Sequence, residues 1–147
     1  MKRATIVRKH KTVTLCYAPL VYKAGFAGRV VRALNKVAPS LEAYILHGSE
    51  LTGKVCKSHT GALMVNVQAP PQYPLKMRRG WASLTFDNIQ SSATFALLHE
   101  IGHILFGKED ENAADIWALA IQIDFDLSPP EISERKPSKL RPRAVKR

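Results

Sequence analysis

The sequence predicts an α+β fold, and three observations carry that prediction. Short strand-like segments, the first two rich in β-branched residues and bounded by charge, recur along the chain up to Phe86. Residues 92–106 are apolar on nearly every face, as in a buried helix. A second helix, about 109–123, follows at once and opens with three acids. Strand candidates with one helix among them, followed by two consecutive helices, give an α+β arrangement.

Thr5–Val7 and Thr12–Tyr17 read as two strands with Arg8–Lys11 as their turn. Val30, Val31, Leu34 and Val37 fall at helical spacing, so Ala27–Val37 is an amphipathic helix stopped by Pro39. Leu41–His47 and Ala62–Val67 are further strands, separated by the turn-rich stretch 48–61. Ala69–Gly80 holds three prolines and reads as an exposed loop, a lid or a plain connector. Trp81–Phe86 is a short strand. Asp87–Ser92 supplies N-cap chemistry for the helix that follows, and Gly107 ends that helix. Pro129 and Pro130 close the fold.

With 147 residues, 46% of them hydrophobic and 23% charged, the chain suits one globular domain. We divide it into a folded domain, 1–130, and a basic, Pro-rich tail, 131–147, expected to be disordered. The net charge of +10 belongs to the ends: residues 1–11 carry five basic groups, 135–147 carry seven, and the stretch between them is −2. Basic ends can bind nucleic acid by phosphate neutralisation or serve as solubilising tails. Cys16 and Cys56 lack metal-site spacing and read as reduced thiols, though one disulfide between them stays open. The N-terminus has no apolar signal region, and no apolar run approaches the roughly 20 residues that span a bilayer. A cytoplasmic protein without membrane contact is the expectation.

The chemistry lies on the buried helix, in His99-Glu100-Ile101-Gly102-His103. Histidines four residues apart project from one helix face, so both imidazoles can reach one ion. Zinc takes nitrogen and oxygen ligands at ~2.0–2.2 Å, and a catalytic site keeps a position open for water. Glu100, beside the first histidine, can take that water's proton and return it to a leaving amine. Satisfied core histidines are the plainer reading. Burying two imidazoles and a carboxylate without partners, however, costs on the order of several kcal/mol, which a shared cation removes. The third ligand should come from the next helix. Glu109, Asp110 and Glu111 all qualify by position; Glu111 is preferred because Asp115 follows it by one turn. Asp115 can then accept a hydrogen bond from the non-ligating nitrogen of His99 or His103.

From Phe95 to Gly107 the sequence resembles the active-site helix of the ImmA/IrrE-type metallopeptidases, whose pattern is close to RFTLAHELGHxLLG. Glu111-Asn112-Ala113-Ala114-Asp115 is similar to that family's later ExxAN segment, which supplies the third ligand. Thr94 stands where arginine is usual. Asp115 stands where asparagine is usual, and resembles instead the ExxxD of thermolysin-like zincins. The resemblance spans about residues 92–120. It implies a minimal zincin-like domain: a small mixed β-sheet packed against the HExxH helix and a following helix. It also implies Zn2+ as cofactor, a protein substrate such as a regulator, and an intracellular setting in bacteria or phage.

Zincins bind substrate as an extended strand along a sheet edge, here Ala62–Val67 or Trp81–Phe86. An oxyanion donor would have to come from upstream of the helix, with His59 and Tyr73 as candidates. Competing with a peptidase are a non-catalytic zinc module, engaging nucleic acid or a protein through its basic termini, and a zincin scaffold used as an inhibitor or phage accessory factor.

Overall fold

A computed structural model describes residues 2–8, 11–17, 21–23, 25–39, 41, 43–48, 63–66, 72–107 and 109–134. Among these residues the fold is mixed α and β, with three helices and two small sheets.

Strands β1 (Lys2–Arg8) and β2 (Lys11–Tyr17) form an antiparallel hairpin, with Arg8 opposite Lys11 and Lys2 opposite Tyr17. Val13, Leu15 and Tyr17 alternate along β2 and are buried. The chain then crosses over through α1 (Phe26–Val37) to β3 (Ala43–Gly48), which lies parallel to β2. A parallel neighbour needs such a crossover, and α1 covers the sheet against β1 and β2. Phe26, Ala27, Val30, Val31 and Leu34 are its buried face. Parallel β4 (Leu63–Asn66) completes a mixed sheet of order β1-β2-β3-β4.

The second sheet was only partly foreseen. It has the order β5-β6-β7, all antiparallel, from β5 (Leu75–Arg78), β6 (Ala82–Phe86) and β7 (Glu131–Glu134). Strand β5 begins immediately after the last proline of the segment expected to be a loop, where LKMR can supply a full ladder of N–H groups. Strand β7 corrects the domain boundary. Residues 131–134, expected to belong to the tail, pair with β6, so the folded unit runs to at least Glu134. The expected tail from 135 onward lies outside the described residues, as do Cys56, His59 and all of the turn-rich stretch 48–61 except Gly48, which ends β3. Cys16 is a buried thiol.

Helix α2 (Ile89–Phe106) starts three residues before the expected Ser92, because Asn88 is its cap and accepts from the Ser91 N–H at 3.0 Å. Its body is buried, including Phe95, Leu97, Leu98 and Ile101. Its last turn is not, contrary to expectation: Ile104 and Phe106 are 54% and 50% exposed. Helix α3 (Glu111–Asp124) folds back on α2, and α2 also runs beside β4 and β6. Gln122, fully buried on α3, donates its amide to the carbonyls of Ser91, Leu127 and Ser128, which ties the start of α2 to the end of α3. No described helix is long and apolar enough to cross a membrane.

Candidate metal centre

Two local features bring α2 and α3 together at their chemistry-bearing ends. Gly107 has φ 102, a conformation that favours glycine, and its N–H caps α2 by donating to the His103 carbonyl at 2.9 Å. Asp110 then caps α3, accepting from the Ala113 N–H at 2.9 Å. This assigns the three acids that the sequence left in competition. Asp110 is a cap, Glu109 is exposed in the turn, and Glu111, the first helical residue, reaches the histidines.

Glu111 Oε1 lies 2.9 Å from His99 Nε2 and 3.2 Å from His103 Nε2, and the two Nε2 atoms are 3.0 Å apart. The rings meet edge to face, with centroids 4.5 Å apart. Each ring turns its other nitrogen away from this triangle. His103 Nδ1 is 3.1 Å from the Gly107 carbonyl oxygen. His99 Nδ1 is 2.7 Å from Asp115 Oδ1, a close polar contact rather than an aligned hydrogen bond. Asp115, 3% exposed at its side chain, has its second oxygen 3.3 Å from Arg79 Nε.

This donor set tests whether a cation fits. The Gly107 carbonyl only accepts, so a neutral His103 ring keeps its proton on Nδ1, and the Asp115 carboxylate beside His99 Nδ1 favours the same tautomer there electrostatically. Two Nε2 lone pairs and a carboxylate oxygen then meet at hydrogen-bond distance with no hydrogen between them. A cation at the centre removes that repulsion. Ligands of a tetrahedral ion at ~2.0–2.1 Å stand roughly 3.3 Å apart, close to the three separations here. An additional proton on one Nε2 also removes that repulsion. It is consistent with His103 holding its proton above the ordinary imidazole value: the Gly107 carbonyl raises its pKa most, burial opposes, and the charges of Glu111 and Glu100 add to the rise.

Glu100 offers a carboxylate atom within 4.8 Å of ligand atoms from both histidines. Glu111 is nearer to both, which leaves Glu100 as a neighbour of the centre. Behind His99 the aromatic rings of Phe95 and Phe86 follow in sequence, with centroid separations of 6.0 Å and 5.5 Å.

Of the two upstream donors expected, His59 is outside the described residues. Tyr73 is committed elsewhere: its hydroxyl is 3.0 Å from Ser92 Oγ, about 10 Å along α2 from His99 at the helical rise. Sequence reasoning missed Arg79. The alternation along β5 leaves Arg78 exposed and turns Arg79 inward, but nothing local links it to Asp115 on α3. No protein-family model matches the chain, and no curated protein or solved structure is significantly similar to it, so the family resemblance stands on the motif residues of 92–120 alone.

Proposed function

We propose that this protein is a zinc-dependent peptidase of the zincin type, with His99, His103 and Glu111 as metal ligands and Glu100 as general base. The observation that carries the reading is the convergence of two Nε2 atoms and Glu111 Oε1 at 2.9–3.2 Å, with both Nδ1 atoms turned to acceptors. Imidazole and carboxylate ligands suit zinc, which when bound supplies a Lewis acid that polarises a peptide carbonyl and acidifies water.

The rest of the chemistry belongs to the chain. Glu100, one residue from the first ligand, takes the proton of the attacking water and hands it to the departing amine. Asp115 and the Gly107 carbonyl hold the two rings in the ligating tautomer. Of the two strands considered for substrate pairing, β6 has both neighbours filled, by β5 and β7, and is ruled out. β4 ends its sheet beside α2, and among the described residues its outer side is open to an extended substrate backbone. The substrate class that follows is a protein or peptide presented as a strand.

Metal analysis and one substitution test this reading. Purified protein should carry about one zinc per chain. Glu100→Gln should keep the zinc and lose cleavage of a casein or peptide-library substrate by about 100-fold or more. Cleavage by that variant at the wild-type rate removes Glu100 from the mechanism, and a wild-type protein that binds no divalent ion ends the peptidase reading.

A further inference from the structure

Arg79 lies one layer further out than Asp115, and its contacts converge on His99. Its Nε is 3.3 Å from Asp115 Oδ2, while the other oxygen of that carboxylate faces His99 Nδ1 at 2.7 Å. Its guanidinium carbon stands 5.4 Å from the centroid of the Phe95 ring, and that ring's centroid is 6.0 Å from that of His99. The backbone holds it at the β5–β6 turn, where the Arg79 N–H donates to the Ala82 carbonyl at 2.7 Å. Asp115 is almost wholly buried, and a buried carboxylate with a neutral imidazole on one side needs a charge on the other. The planar, always-charged guanidinium supplies it as a close ion pair rather than an aligned hydrogen bond, with one carboxylate oxygen toward each neighbour.

We infer that Arg79 is a positioning residue for the metal ligand His99 and acts through Asp115. The inference rests on the proposed metal centre. With Arg79 in place, Asp115 Oδ1 is held against Nδ1, that nitrogen keeps the ring proton, and Nε2 is aimed into the ligand triangle. Without it, the carboxylate is free to rotate and the His99 ring loses the partner that orients it.

The experiment is a double-mutant cycle read in metal affinity and in the visible absorption of bound Co2+. Zn2+ affinity is measured by competition with a chromophoric chelator for wild type, R79Q, D115N and R79Q/D115N, with R79K as the conservative variant. R79Q should weaken Zn2+ binding about 10- to 100-fold, as expected for loss of an outer partner of a ligating histidine, and should shift the Co2+ bands. R79K should fall between R79Q and wild type, and keeps the test usable if R79Q does not fold. In the D115N background, R79Q should cost little more, because the carboxylate through which it acts is gone. Wild-type affinity in R79Q and R79K, or losses that multiply in the double variant, overturns the inference while leaving the metal centre standing. A wild-type protein that binds neither Zn2+ nor Co2+ removes both.

Discussion

Gly102 lies against Ala114 with no space for a side chain between α2 and α3: a Cβ at Gly102 would fall 3.0 Å from the Ala114 Cα and 3.1 Å from its Cβ. The middle of the HExxH stretch is thus also a point of close approach between the two helices. That approach sets how far Glu111 must reach to meet the histidines.

Gly102→Ala tests the contact. The added methyl improves helix propensity by about 0.5–1 kcal/mol, but overpacking against backbone costs about 1–3 kcal/mol. A net loss of stability, with weaker metal binding as the helices separate, is expected, and Gly102→Val should be worse on both counts. Thermal melts with and without zinc measure it. A stabilised Gly102→Ala protein with undiminished zinc affinity would contradict the contact.

The three acids at the start of α3 should separate cleanly. Glu111→Gln removes a proposed ligand, and its loss of zinc affinity should exceed the roughly 100-fold typical of an outer partner. Asp110→Ala removes a cap and should cost about 1 kcal/mol of stability, with a much smaller effect on zinc. Glu109→Ala should change neither. Isothermal titration of the three variants ranks them, and an equal loss in Glu109→Ala and Glu111→Gln would refute the assignment.

His103 predicts opposite pH trends for the metal-free and metal-loaded protein. Its pKa lies above the ordinary 6.5 when folded, chiefly through the Gly107 carbonyl. Its contribution to metal-free stability is therefore fully present below about pH 6.5 and fades as pH rises through the higher folded value. Metal ligation needs the neutral ring, so zinc affinity should fall as pH drops through that same value. The rise in Tm on adding zinc should be larger at pH 8 than at pH 6. A rise that does not change with pH would exclude His103 as a ligand.

Gln122→Leu should destabilise the protein by about 1–3 kcal/mol, because three carbonyls lose the donor they share in a buried position. Chemical denaturation measures the loss. The amide has no contact with the histidines, so zinc stoichiometry should remain at one per chain.

What the sequence disclosed depended on how far apart the interacting residues are along it. The spacing of Val30, Val31 and Leu34 was enough for α1, and His99 with His103 was enough to place two imidazoles on one face. Glu111 could be preferred over its neighbours only through Asp115, a local argument, and both carboxylates lie against His99. Strands β5 and β7 escaped notice because LKMR and EISE are four residues each and half charged. Their structure comes from the ladder with β6, not from any pattern of their own. Trp81–Phe86 read correctly as a strand, yet its central place follows from those same unseen neighbours. Arg79 was invisible for a related reason: its partner lies two helices further on.

The pairing of β6 with β7 has one more implication. The chain leaves the second sheet at Phe86, makes α2 and α3, and returns at Glu131 to the strand it left, with Thr85 opposite Glu131 and Ala82 opposite Glu134. The helical hairpin that carries all the proposed metal ligands is therefore an excursion clasped at its base, like a key ring. A protein ending at Pro130 would retain every proposed ligand and still open that clasp, so shortening the chain there would loosen the grip on the ion from a distance.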